Sequence, residues 1–201
     1  MPTLTFEKLK TEKKEKFIQS ALEEFAQNSY QNASITQLAK TMKIAKGSIY
    51  QYFESKKDLY FFLLNEVNQK KQHFIAQYLK EIPDDFFELL KKIYILGINF
   101  DKENEIIQKF LLNAQYEKNN TEIGNLYQQS WLQSVQYYKN LLLKQQANHK
   151  IRNDISIDLM AHFIVQSGRA LPEILQIFPN YSPEKYIEEW LYVLKSGLQP
   201  F

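Results

Sequence analysis

A short stretch in the N-terminal third of the sequence carries side chains suited to hydrogen bonding with DNA. The amide of Gln51 can pair bidentately with adenine, while lysine ammonium groups bind phosphates or guanine. Gly47 has no side chain, so a helix backbone could approach a duplex closely at that point. The exposed positions of the short helix predicted here are Lys46, Gly47, Ser48, Tyr50 and Gln51. Such residues on one helix face are typical of an element that lies in a major groove.

Two short helices joined by a tight turn would position these side chains. Ser34, followed three residues later by glutamine, fits a capping box that begins a helix from about Ile35 to Met42. A second helix would run from Lys46 to Tyr52, and Ala39 lies where the two axes approach most closely. The apolar side chains that would fill the wedge between the helices are Leu38, Met42, Ile44, Ile49 and Tyr52. This spacing predicts a helix-turn-helix over about residues 35–54, although an ordinary helical corner would need the same wedge.

The rest of the chain also has the periodicity of helices. Ile187, Trp190, Leu191 and Leu194 recur at the spacing of one helix face. Strand-like alternation followed by hairpin turns is absent from the sequence. We therefore expect an all-α fold of about nine helices.

Composition excludes several classes of protein. The 201 residues include no cysteine, which excludes disulfide scaffolds, thiolate zinc sites and iron–sulfur clusters. The three histidines, His73, His149 and His162, form no closely spaced metal triad, and no catalytic signature occurs. No run reaches the roughly 18 apolar residues of a membrane span, and the N-terminus lacks the apolar stretch of a signal peptide. We expect a soluble cytoplasmic protein that is not an enzyme and needs no metal or cofactor.

Charge is unevenly placed along the chain. Residues 1–80 carry 13 lysines and 8 acidic residues, whereas the remainder carries 12 basic and 15 acidic residues. A basic N-terminal part favours an anionic partner.

The segment from Ser34 to Leu59 closely resembles the N-terminal signature of the TetR family of bacterial transcriptional regulators. The resemblance is carried by Leu38-Ala39, by Lys-Gly-Ser-Ile-Tyr from Lys46, and by Tyr-Phe-x-Ser-Lys-x-x-Leu from Tyr52. It extends over about residues 8–68, and beyond them it rests on chain length and helical texture.

The resemblance implies two domains and a set of DNA contacts. Residues 8–68 would form a three-helix DNA-binding domain, and residues 69–201 a helical domain that binds an effector and dimerises. The residues that would grip phosphates are Ser34, Thr36, Tyr50 and Lys56. Those that would face base edges are Lys46, Gly47, Ser48 and Gln51. Phosphate contacts set the register on DNA, and base contacts set the choice of sequence.

Two positions depart from the family pattern. The family usually has glycine in the turn, where this chain has Lys43, and a non-glycine residue in a left-handed turn costs about 1 kcal/mol. The usual serine or threonine that caps the recognition helix is Ala45, which forfeits roughly 0.5–2 kcal/mol of capping.

Aromatic and amide residues of the central helices suggest a pocket for a small apolar or amphipathic effector, although an ordinary aromatic core is an alternative for each of them. The candidate pocket residues are Phe100, Phe110, Gln115, Tyr116, Tyr127, Trp131, Tyr138, Phe163 and Gln166.

Two final helices, about residues 157–178 and 183–197, would form a dimer interface. Its predicted members are Leu159, Phe163, Gly168, Leu171, Ile187, Trp190, Leu191 and Leu194. A two-fold dimer would set two recognition helices about one DNA turn apart, on a pseudo-palindromic operator.

These features together predict a DNA-binding repressor that a small molecule releases from its operator. The alternative is a helical ligand-binding or protein-interaction module whose helix-turn-helix is vestigial. Lys43 and Ala45 are the residues that favour this alternative.

Overall fold

Helices make up every regular element of the part of the chain that the computed structural model describes. This part comprises residues 2–120, 122–171, 174, 177–178 and 180–199, without the side chains of Lys118 and Tyr127. It contains ten α-helices, a 3₁₀ turn at Glu117–Asn119 and no strand. The helices are α1 (Leu4–Glu7), α2 (Thr11–Gln27), α3 (Ile35–Met42), α4 (Lys46–Tyr52), α5 (Lys56–Tyr78), α6 (Phe86–Glu103), α7 (Glu105–Tyr116), α8 (Gly124–Ala147), α9 (Ile157–Arg169) and α10 (Pro183–Leu198).

The all-α prediction is confirmed, with two differences in the elements. The four-residue helix α1 was not predicted, because a single turn carries no periodic signal. Helix α9 ends at Arg169, whereas the sequence predicted one helix over residues 157–178. Positions 172, 173, 175 and 176 of that range lie outside the described residues. None of the described helices combines the length and apolar character needed to cross a membrane.

The chain divides into two compact units. The N-terminal unit comprises Met1–His73 and Phe100–Tyr127, and the C-terminal unit comprises Phe74–Asn99 and Gln128–Phe201. Residues 100–127, which the sequence analysis grouped with the second domain, thus pack with the first 73 residues. The functional boundary at residue 68 stays a prediction.

The core of the N-terminal unit begins with the apolar face of α2. Phe17, Ala21 and Phe25 recur every four residues on that face and are buried. Helix α7 packs along α2 and buries Phe110, whose ring centroid lies 6.4 Å from that of Phe25. This packing explains why part of the chain beyond residue 99 belongs to the N-terminal unit.

The C-terminal unit has its own core, which α9 and α10 help to form. The predicted dimer residues that lie buried in this unit are Gly168, Leu171, Ile187, Trp190, Leu191 and Leu194. Each is covered within one protomer, and their assignment to a subunit interface stays a prediction. Gly168 brings α9 close to Tyr94 of α6 within the same protomer. Of the predicted interface, Leu159 and Phe163 are exposed.

Candidate nucleic-acid interface

The turn between α3 and α4 adopts the geometry that the sequence predicted. Lys43 has φ 54° and ψ 43°, a left-handed conformation that disfavours residues with a Cβ. The turn is closed by the amide of Ile44, which donates to the carbonyl of Ala39 at 3.0 Å. Ala45 precedes α4 and contributes no side-chain cap. The helix-turn-helix therefore forms despite both departures from the family pattern.

Helix α4 has one buried and one exposed face. Ile49 and Tyr52 are buried against the N-terminal unit, while Lys46, Tyr50 and Gln51 are exposed to solvent. Ser48, predicted as a base contact, is half-buried. The exposed face carries a cation, a phenol and an amide, which together can donate to phosphates and to base edges.

Gly47 lies on this exposed face, where the protein itself does not require glycine. A Cβ built at Gly47 would meet no atom within 4 Å, and the residue has no positive φ. The missing side chain therefore relieves no clash and no backbone strain inside the protein. It leaves the helix backbone exposed to solvent at this point.

Two predicted phosphate contacts lie at the start of α3. The side chain of Ser34 accepts a hydrogen bond from the amide of Gln37 at 3.2 Å, which confirms the predicted cap. Glu24 of α2, rather than the Gln37 side chain, accepts from the amide of Ser34 at 2.8 Å. Thr36 is exposed on the first turn of α3. Because a hydroxyl both accepts and donates, the capping bond leaves the Ser34 hydroxyl proton available to a phosphate.

Lys56, the fourth predicted phosphate contact, makes hydrogen bonds within the protein. Its ammonium donates to the carbonyls of Gln31 and Ala33 at 3.1 and 3.0 Å, and lies 4.7 Å from the ring centroid of Tyr30. Lys56 thus fastens the loop between α2 and α3 to the first turn of α5. An ammonium has three donors, so these two bonds leave one that can reach a phosphate.

A second set of bonds holds the same loop from the side of α7, and sequence analysis did not single these residues out. Glu117 accepts from the backbone amide of Tyr30 at 2.8 Å, and Glu122 accepts from the Tyr30 hydroxyl at 2.5 Å. The side-chain amide of Asn113 donates to two carbonyls at the end of α2, at 3.1 and 3.0 Å. Burial and the bond to Glu122 raise the pKa of Tyr30. No local pattern signals these contacts, because the partners lie 87 to 92 residues apart.

The residues predicted to line an effector pocket lie in different surroundings. In the N-terminal unit, Phe110 packs against Tyr60 with 5.2 Å between ring centroids, and Phe100 is also buried. Their placement is that of a core, which was the alternative interpretation. The predicted pocket residues exposed to solvent are Tyr116, Phe163 and Gln166, and their assignment to a pocket lining stays a prediction.

Other predicted pocket residues remain candidates. Gln115 is half-buried in the N-terminal unit, and the side chain of Tyr127 lies outside the described residues. In the C-terminal unit Tyr138 is buried and Trp131 is half-buried. The Nε1 atom of Trp131 is buried and has no hydrogen-bond partner among the described residues.

A hydrogen-bonded cluster that sequence analysis missed lies in the core of the C-terminal unit. The Trp190 indole donates to the hydroxyl of Ser167 at 2.8 Å, and the Tyr186 hydroxyl donates to the Ser167 carbonyl at 2.9 Å. The Tyr94 hydroxyl donates to the carbonyl of Ile164 at 3.5 Å. Burial raises the pKa of Tyr94 to about 12.

Comparisons with known proteins find a family model that matches part of the α2–α5 region. A model described as bacterial regulatory proteins of the tetR family matches residues 17–61. The uncharacterized HTH-type transcriptional regulator YuxN of Bacillus subtilis is 44% identical over 54 residues, which are 27% of this chain and 19% of YuxN. The chain therefore spans only about a fifth of that relative.

Two further similarities extend beyond the helix-turn-helix. The biofilm operon icaADBC HTH-type negative transcriptional regulator IcaR of Staphylococcus aureus is 29% identical over 148 residues, covering 65% of this chain and 78% of IcaR. The crystal structure of a TetR family transcriptional regulator from Chloroflexus aurantiacus is 27% identical, covers 100% of both chains and superposes with a TM-score of 0.71.

Proposed function

Because the chain belongs to the TetR family of bacterial transcriptional regulators, we propose that it represses transcription by placing α4 in the major groove of an operator. The observation that carries this proposal is the two-faced character of α4. Ile49 and Tyr52 anchor it, while Lys46, Tyr50 and Gln51 face solvent. Members of this family are DNA-binding regulators rather than enzymes. Repression, rather than activation, is supported by IcaR, which is described as a negative regulator.

In this proposal the DNA contacts are divided between two roles. Ser34, Thr36, Tyr50 and Lys56 contact phosphates and set the position of the protein on the duplex. The side chains of Lys46, Ser48 and Gln51 face base edges, and Gly47 allows close approach of the backbone. Residues 8–68 bind DNA, and residues 69–201 bind the effector and dimerise.

Replacing Gln51 with alanine tests base reading. We expect wild-type protein to select a preferred duplex from a random-sequence pool and to bind it less tightly as salt rises. The Gln51→Ala protein should lose preference at one base pair in each half-site, by about 5- to 150-fold, because a bidentate amide–adenine pair contributes roughly 1–3 kcal/mol of discrimination. Sequencing of the selected pools and gel shifts at several salt concentrations measure both effects.

A matched control is Gln19→Ala, which removes an exposed amide from α2 that pairs with Glu23. This variant should select the same sequence as the wild type. An unchanged base preference in Gln51→Ala would contradict the assignment of Gln51. Wild-type binding that ignores sequence and salt would contradict the proposed function as a whole.

The proposed active form is a homodimer whose interface includes the apolar residues that α9 and α10 expose. Leu159 and Phe163 are one helical turn apart on α9, and Tyr192 and Val193 are exposed on α10. An exposed apolar patch is typical of an interaction surface, and these four residues would contribute to such a patch. A two-fold pair of protomers would bind two half-sites of a pseudo-palindromic operator.

Release from DNA is proposed to follow the binding of a small amphipathic molecule next to Trp131. The buried Nε1 of Trp131 has no hydrogen-bond partner among the described residues, and its ring lies 4.9 Å from that of His162. An unpaired buried donor costs about 1–3 kcal/mol, which an acceptor oxygen on a ligand would offset. Such a molecule releases DNA if its affinity is higher for the conformation that does not fit the operator than for the conformation that does.

This effector proposal is tested with a panel of amphipathic carboxylates and phenols. A compound that raises the melting temperature and releases the selected duplex should do so at about 2- to 10-fold higher concentration in Trp131→Phe, because one hydrogen bond contributes roughly 0.5–1.5 kcal/mol. Trp190→Phe is the control, since the Trp190 indole already donates to Ser167. Equal potency against Trp131→Phe and wild-type protein would contradict the assignment of Trp131.

A further inference from the structure

Helix α4 is too short to hold its own orientation. It has seven residues, its N-cap Ala45 contributes no side-chain bond, and the preceding Lys43 is in a left-handed conformation. Isolated helices of this length are not stable in water. The last four carbonyls of any helix also lack partners within the helix. The orientation of α4 must therefore come from residues outside the helix itself.

Thr3 supplies two donors to the C-terminal end of α4. Its hydroxyl donates to the carbonyl of Gln51 at 2.6 Å, and its backbone amide donates to the carbonyl of Tyr52 at 3.0 Å. Thr3 is also the N-cap residue of α1, yet its side chain makes no capping bond there. The hydroxyl is thus used on α4 and not on the helix that Thr3 itself begins.

Phe6 holds Thr3 in place. Its side chain is 1% exposed, and its ring contacts those of Phe17, Tyr52 and Phe53 at centroid distances of 5.4, 5.8 and 4.9 Å. Lys14 of α2 closes over this turn by donating to the carbonyl of Glu7 at 3.2 Å. The segment before α2 is therefore packed against both α2 and the end of α4.

We propose that Thr3 is a positioning residue for base recognition, acting through the carbonyl of Gln51. Thr3 holds the end of α4 at Gln51, whose side chain reads a base. The Thr3 hydroxyl therefore fixes the position of the Gln51 side-chain amide relative to that base. A tilt of α4 would misalign a bidentate hydrogen bond but would leave phosphate contacts from α3 and α5 in place. The inference rests on the proposed DNA-binding function, and it predicts that loss of the Thr3 hydroxyl lowers discrimination between sequences.

The test compares three variants of the full chain, each carrying any purification tag at the C-terminus. Thr3→Val keeps the shape and the backbone amide but removes the hydroxyl, Thr3→Ser restores a hydroxyl, and Thr5→Val removes an exposed hydroxyl two residues away. Binding is measured to the duplex that wild-type protein selects from a random pool, and to a scrambled duplex of the same composition. Melting temperatures are measured in parallel.

We expect Thr3→Val to bind the selected duplex about 3- to 10-fold more weakly, in line with the loss of one hydrogen bond. Affinity for the scrambled duplex and the dependence on salt should not change, because no charge is removed. Thr3→Ser and Thr5→Val should both match the wild type.

Equal affinity of Thr3→Val and wild-type protein for the selected duplex would overturn the positioning role. An equal loss on both duplexes with a lower melting temperature would also overturn it, because that result describes a purely structural contact. If wild-type protein itself selects no duplex, the proposed function and this inference fail together. Selection by the wild-type protein therefore distinguishes a failure of the proposed function from a failure of the Thr3 inference alone.

Discussion

Replacing Gly168 with alanine is expected to lower the melting temperature by roughly 2 to 12 °C. A Cβ at this position would lie 1.9 Å from the hydroxyl oxygen of Tyr94 and 2.4 and 2.6 Å from two of its ring carbons. Tyr94 has little room to move, because its ring packs against Trp190 at 4.6 Å and its hydroxyl donates to the carbonyl of Ile164 at 3.5 Å. Overpacking of this kind costs about 1–3 kcal/mol, and each kcal/mol lowers the melting temperature by roughly 2–4 °C in a chain of this size.

Gly197→Ala is the matched control for this prediction. Gly197 is also helical, but a Cβ built there meets no atom within 4 Å. The variant should be as stable as the wild type or more stable by about 0.4–1 kcal/mol, because alanine reduces the entropy of the unfolded chain. Thermal unfolding followed by circular dichroism measures both proteins. Equal melting temperatures for the two variants would show that α9 and α6 do not approach as closely as described.

Replacing Leu159 with glutamate is expected to separate the dimer and to weaken operator binding by about 10²- to 10⁴-fold. Leu159 is 61% exposed in one protomer, so the substitution is harmless there. In the proposed interface it would bury a carboxylate against apolar side chains, which is costly without a partner. Two linked recognition helices bind with an avidity that exceeds either affinity by about 10²–10⁴-fold, and a monomer loses that gain. Light scattering and gel shifts measure mass and affinity.

The control for the dimer prediction is Leu132→Glu. Leu132 is 52% exposed on α8 of the same unit and lies outside the proposed interface, so this variant should remain dimeric and bind DNA normally. A dimeric Leu159→Glu protein, or dissociation caused equally by both variants, would contradict the proposed interface.

Sequence alone was sufficient where structure depends on neighbours along the chain. Ser34 predicted the start of α3 because capping involves residues three positions apart. The buried Ile49 followed from the spacing of the helix-turn-helix in the same way, and the left-handed turn at Lys43 from the resemblance to the TetR family. The exposed face of α4 could be predicted because burial of one helix face determines the other.

Periodicity located the apolar faces of the last helices but not their partners. Ile187 and Leu194 do lie on one face of α10, as predicted, yet that face is buried in the protomer. A periodic pattern predicts that one face of a helix is buried, but it does not identify the surface that covers this face. The exposed Tyr192 and Val193 were missed because they interrupt the pattern and resemble scattered surface residues.

Contacts between distant segments were beyond sequence analysis. The bonds from Glu117 and Glu122 to Tyr30 cross about 90 residues, and a single sequence carries no record of such pairing. The role of Thr3 was missed for a similar reason, since its partner is a backbone carbonyl 48 residues away. Every residue has a backbone carbonyl, so the residue types in a sequence do not show which carbonyl accepts a given hydrogen bond.

The grip of α7 on the end of α2 has a consequence for protein engineering. Transplanting only residues 17–61, the span that matches the family model, into another regulator would leave the Phe25 and Ala26 carbonyls without Asn113 and the Tyr30 hydroxyl without Glu122. Part-buried polar groups stripped of their partners destabilise a fold. The segment of residues 17–61 thus lacks hydrogen-bond partners that it has in this protein. A working chimera must also carry the stretch of chain from Asn113 to Glu122.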